Sequence, residues 1–125
     1  MGDSMIINKL LLSRKEVNTF IEIIGDSIVN HEAVKYFLDI DKECLIKYSL
    51  FFNKIEDVFE YEEISTIELE LSLDVNEQLK YIIYNYIKRN IDRIYKEEIA
   101  EIMDVIESLD SVRVIEVDNI MTYRM

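Results

Sequence analysis

The chain contains no proline, and its only glycines are Gly2 and Gly25. Flexible linkers and phosphate-cradling loops both depend on glycine, so neither a second domain nor a nucleotide-binding loop is signalled. Cys44 is the only cysteine. That excludes a disulfide framework within the chain and fits a reducing, cytoplasmic compartment. A lone cysteine reads as a small apolar residue before it reads as a nucleophile. His31 is the only histidine and has no Cys or His near it in sequence to share a metal. It is also the only conventional base for a serine nucleophile, and no elbow motif accompanies it. No run approaches the roughly 18 consecutive apolar residues of a membrane span. In "MIINKLLLSRK" the bases follow the apolar run, unlike those of a signal peptide. "MGDS" reads as a leader, residues 1–4. These absences predict a single domain over 1–125 with no catalytic centre, no cofactor and no metal.

Acid is what the chain has in excess. Its formal charge is −12, from 26 Asp and Glu against 14 Lys and Arg. A polyanion needs a basic footprint, so direct nucleic-acid binding is not expected, whereas a basic protein surface is a natural partner. Half of the residues are apolar, which is a globular composition. Richness in Ile, Lys, Asn, Tyr and Glu without Pro or Trp follows from AT-rich coding and fits a phage or mobile-element origin.

The apolar spacing predicts an α+β domain. "MIINKLLL" suits a first strand or a packed N-terminal arm. Ser13 with Glu16 is a capping box, and Val17, Phe20, Ile21, Ile24 and Ile28 follow at helical spacing, with Gly25 as the expected end or interruption. Asn30 can cap a second short helix with His31 facing solvent in its first turn. From Leu45 the aromatic and β-capable segments "LIKYSLFF", "DVFEYEE" and "STIELELSL" read as a three-stranded meander near 45–73, with a helix as the alternative for the first member. Asp74 and Glu77 repeat the capping pattern before a long helix near 75–109. Its apolar stripe turns by about a quarter revolution near Lys96, where bases give way to Glu97, Glu98 and Glu101, so a kink or two helices is expected there. "VRVIEV" near 112–117 reads as a last strand. The expected architecture is an antiparallel sheet of about four strands packed against the N-terminal helices and the long one.

Nine carboxylates lie between Lys54 and Lys80 with no base among them. Strict alternation puts Glu68 and Glu70 on the outer face of a strand, about 7 Å apart at roughly 3.3 Å per residue. Glu56, Asp57, Glu60, Glu62 and Glu63 extend the charge along the rest of the meander. Such a face imitates the phosphates of a nucleic acid, and it would occupy the Lys/Arg groove of a nucleic-acid-handling protein. The expected activity is therefore that of a non-enzymatic inhibitor or immunity-type protein. Reversing Glu68 and Glu70 to Lys is expected to abolish binding without unfolding the domain. "DIDKE" (Asp39, Asp41, Glu43) opens like a calcium loop but lacks the glycine and later glutamate such a loop needs. Tyr81, Tyr84, Lys88 and Tyr95 share a sector of the long helix, where tyrosines ordinarily cover a buried stripe. The alternative function is an assembly subunit that oligomerises through this helix, for example a homodimer pairing acidic sheet with basic helix.

Overall fold

The sheet is built from segments far apart in the chain, and helices fill sequence between them. The computed structural model of the chain describes residues 7–110 and 122–124. Strand β1 (Ile7–Ser13) leads directly into helix α1 (Arg14–Val29). Ser13 accepts from the Glu16 N–H, and the Glu16 carboxylate accepts from the Ser13 N–H at 3.1 Å, so the capping box fixes this junction. Gly25 does not end α1. The helix runs four residues beyond it, and a Cβ there would meet nothing within 4 Å.

The one-turn helix α2 (His31–Val34) follows, and His31 is half-buried rather than solvent-facing. Its Nε2–H donates to the Ile40 carbonyl at 2.8 Å and holds the connection to α3.

Helix α3 spans Lys42–Tyr61, where a meander was expected. Its buried residues are Leu45, Tyr48, Phe52, Ile55 and Phe59, spaced three, four, three and four apart. That period is helical, and burial of this stripe against α1 overrides the strand preference of "LIKYSLFF". Phe52 stacks on Phe20 of α1, with ring centroids 4.6 Å apart.

Strand β2 (Thr66–Ser72) then pairs antiparallel with β1, Leu10 opposite Leu69 and Leu12 opposite Ile67. Strand β3 (Thr122–Arg124) lies parallel to β2 on its other side, opposite Glu68–Glu70. The expected four-stranded antiparallel sheet is therefore incorrect. Among the described residues one antiparallel pair and one three-residue parallel strand are present, in a mostly helical fold. The strand expected near 112–117 lies outside the described residues.

The long helical segment is two helices, α4 (Leu73–Asn90) and α5 (Lys96–Asp110). Ser72, not Asp74, caps α4, accepting from the Val75 N–H at 3.4 Å. Lys88 and Arg89 close α4, while Glu97 and Glu98 open α5, each suited to its own helix dipole. Asn76, buried at the start of α4, donates to the Leu109 carbonyl at 2.7 Å and joins the outer ends of the two helices.

One contiguous core results. Leu10, Leu12, Ile67, Leu69 and Leu71 line the sheet face, and Phe20, Ile24, Phe52, Leu79, Ile83 and Ile106 pack with them.

Gly25 occupies open helix surface, where glycine costs about 1 kcal/mol relative to alanine. Gly25→Ala is therefore expected to raise unfolding stability by about 0.5–1 kcal/mol, read from the urea midpoint at unchanged m-value.

Candidate functional site

The fold separates the acidic run into three environments. On α3, Glu56 turns toward the start of α1. Arg14 places its Nη2 2.6 Å and its Nε 2.8 Å from Glu56 Oε1, and the same Nη2 is 4.0 Å from Glu60 Oε2. Glu56 therefore serves the α1–α3 junction more than any external surface.

On β2, alternation points Glu68 and Glu70 away from the core, but neither faces open solvent. Glu68 retains only 7% exposure and Glu70 is half-buried. Lys9 stands opposite Glu70 in register, with Nζ 3.8 Å from Glu68 and 3.9 Å from Glu70. A cross-strand base thus sits between the two carboxylates. They are not the open, phosphate-like row that alternation alone implies, and their reversal cannot be assumed to leave the fold intact.

The third environment is the end of α3. Here Asp57, Glu60, Glu62 and Glu63 are exposed, and the last helical turn contains no base. Glu62 leaves the helix with extended backbone while its N–H still donates to the Val58 carbonyl at 2.8 Å. The carboxylates therefore add to the negative end of the helix dipole, an arrangement that disfavours the helix. Tyr61 projects from the middle of this cluster, 82% exposed. Sequence reasoning passed over it, although it lies off the inward series Tyr48, Phe52, Ile55 and Phe59.

Concave regions among the described residues accompany these surfaces. A cleft of about 290 Å³ between α1 and α5 is lined in part by Glu22, Glu98, Glu101 and Tyr86. A hollow of about 170 Å³ holds Phe37, Tyr81 and Tyr84, with the Lys88 ammonium 4.7 Å from the centre of the Phe37 ring. Tyr81 and Tyr84 are 52% and 44% exposed, so they do not simply cover the buried stripe of α4, and Tyr95, 72% exposed, lies off it in the turn before α5. A groove of about 760 Å³, larger than these two, runs along the outer side of α3 beside Val75. At its floor the Tyr48 hydroxyl donates to the Gln78 amide oxygen, with the Cys44 thiol 3.8 Å from the same acceptor.

Among the described residues no group of three His, Cys, Asp or Glu is arranged to hold a metal ion. No helix among them is long and apolar enough to cross a membrane. No protein-family model matches the chain, and no curated protein and no solved structure matches it either.

Two consequences of this geometry can be measured. Glu68→Lys places a cation beside Lys9 at a buried position and is expected to cost roughly 2–4 kcal/mol. Glu62→Lys, on the open end of α3, should stay within about 0.5 kcal/mol of the parent; urea denaturation of the two variants compares them.

The second concerns tyrosine ionisation. Burial pushes the Tyr48 phenol well above its ordinary value, with its Cys44 contact and the Asp74 charge adding. Burial likewise raises Tyr86, with Glu22, Asp26 and Glu98 adding and Arg89 opposing. Below about pH 10 both phenols are neutral folded and unfolded, so their contribution to stability is fully present. As the pH rises past that value the unfolded chain ionises first and the contribution is lost. Stability should therefore decline from about pH 10 upward. In absorbance titrations Tyr48 and Tyr86, assigned by Tyr→Phe variants, should ionise above the ordinary tyrosine range.

Proposed function

We propose that the protein acts by binding rather than catalysis, as an inhibitor or immunity-type protein that occupies a basic site on a larger partner. A site built to hold nucleic-acid phosphates has the complementary charge and is the partner class we favour. The observation that carries this reading is the exposed end of α3. Asp57, Glu60, Glu62 and Glu63 lie around an open tyrosine with no base in the last turn.

Exposed carboxylates steer encounter with a basic surface and exclude acidic competitors. Tyrosine is among the residues that dominate binding energy when it enters a pocket at the centre of an interface. Glu68 and Glu70 have a different part in this reading, because Lys9 and their low exposure make them structural. Cys44, a free thiol with no second cysteine in the chain, supports a reducing, cytoplasmic setting as part of the same proposal.

A second reading rests on the half-exposed Tyr81 and Tyr84 beside Phe37, an aromatic patch on α4 through which copies of the chain could assemble.

The test is capture of a partner from the source cell on immobilised protein, washed at low and then high salt. The parent chain should retain one protein that high salt releases, because exposed ion contacts are screened over about 10 Å at 0.1 M salt. Glu60→Lys, Glu62→Lys and Glu63→Lys combined, with unchanged circular dichroism, should lose that protein; Tyr61→Ala should weaken its retention about tenfold or more. Undiminished capture by the charge-reversed chain would rule out the α3 end as the binding surface. Recovery of the bait alone, with a mass that rises with concentration and falls on Tyr84→Ala, would instead support assembly through α4.

A further inference from the structure

The groove on α3 combines apolar residues with two lysines. Leu50 is 63% exposed on its rim, and the half-buried Phe51 and Val75 line it further in. Lys47 and Lys54 line the same groove, and among the described residues neither makes an ion pair. Lys9, Arg14, Lys15, Lys35, Lys80 and Arg89 each have a carboxylate within 4.0 Å, and of the described bases that do not, Lys47 and Lys54 are two that share one groove. Seven residues separate the two lysines, two helical turns or about 10.5 Å along one side of α3. Leu50 and Phe51 lie between them. The groove is thus an apolar trough with a cation near each end.

We infer that this groove binds an amphipathic helix of a partner protein, one that carries acidic residues seven positions apart and apolar residues between them. A helix laid along α3 presents side chains at the same 1.5 Å rise, so acids at i and i+7 reach Lys47 and Lys54 together. Apolar residues at i+3 and i+4 then fall on Leu50 and Phe51. Asp57, which also lines the groove, sits beyond Lys54 toward the C-terminal end of α3. It favours the positive N-terminus of the incoming helix there, so the partner runs antiparallel to α3.

A second copy of α3 matches the groove less well. Antiparallel pairing centred between Leu50 and Phe51 sets Lys47 against Lys54, like charge against like. The net charge of −12 opposes an acidic ligand at long range, but screening over about 10 Å at 0.1 M salt leaves the two nearby lysines to decide.

The experiment uses the full chain and labelled helical peptides of about five turns. One peptide carries Glu at i and i+7 around two leucines; the second has Lys at the same two positions. The third moves both Glu to the opposite helix face. By fluorescence anisotropy the first should bind at least about tenfold more tightly than either of the others. Lys47→Glu with Lys54→Glu should reverse the preference between the first two peptides, and Leu50→Asp should abolish binding. All three positions are solvent-exposed, so circular dichroism should not change. Equal affinity for the three peptides, or no binding to any, overturns the proposal. So does sedimentation showing a dimer of the parent chain that Leu50→Asp dissolves, since the groove would then belong to a second copy. Glu60→Lys, Glu62→Lys and Glu63→Lys combined should leave peptide binding intact, which keeps this surface separable from the acidic end of α3.

Discussion

The antiparallel pairing of β1 with β2 is the constraint on which the rest of the molecule depends. It joins residues 7–13 to residues 66–72 and so closes a loop that contains α1, α2 and α3. Closing a loop of that length costs chain entropy before any contact offsets it. The compensation comes from Leu10, Leu12, Ile67, Leu69 and Leu71, all essentially removed from water on one sheet face. Burying each such side chain is worth roughly 1.5–3 kcal/mol. Register follows from the same residues, because a slip by one position would turn the leucines outward and the glutamates into the core. Both strands then pass into helices with a serine cap at the junction, Ser13 before α1 and Ser72 before α4. The sheet thereby sets where each of these helices starts.

This arrangement also explains the position of the two β2 carboxylates. β2 lies between β1 and β3, so both of its edges are paired, and Glu68 on its second face keeps only 7% exposure. Glu68 and Glu70 meet Lys9 there at 3.8 and 3.9 Å. A cation between two carboxylates reduces the repulsion that two acids on one strand face would otherwise generate. Their alternation with leucines is therefore a pattern for pairing with β1, although from sequence it resembles a display surface.

Local chemistry was legible in the sequence where a few neighbouring residues decide the structure. The Ser13–Glu16 capping box, the stripe of α1 and the turn of the apolar face near Lys96 belong to that class. Structure decided by distant residues was not. The segment 45–61 contains many residues that suit strands, and its helical state depends on a stripe whose partner, Phe20, lies more than thirty residues away. Gly25 was expected to end or interrupt α1, but the packing of Ile23, Ile24 and Ser27 carries the helix through it. Of the seven acids singled out in sequence, Asp57, Glu60, Glu62 and Glu63 are exposed near the end of α3, while Glu56, Glu68 and Glu70 are turned toward Arg14 and Lys9. Nothing in the local pattern distinguishes the two sets. The distinction lies in which strand or helix supplies the neighbouring base.

Helix α3 then presents three different surfaces, and its length is what allows it. Its inward stripe belongs to the core, and twenty residues, about 30 Å, leave enough outer surface for two further regions. One is the apolar trough with Lys47 and Lys54; the other is the acidic end around Tyr61. Folding alone favours neither. Exposed Leu50 and Tyr61 gain nothing from the core, and carboxylates in the last turn oppose the helix dipole. The Ser13 cap shows that the same chain can place charge favourably, with Glu16 in the first turn of α1. The contrast is what supports the proposal that α3 binds: the residues there that do least for the fold are exposed and free to meet another molecule.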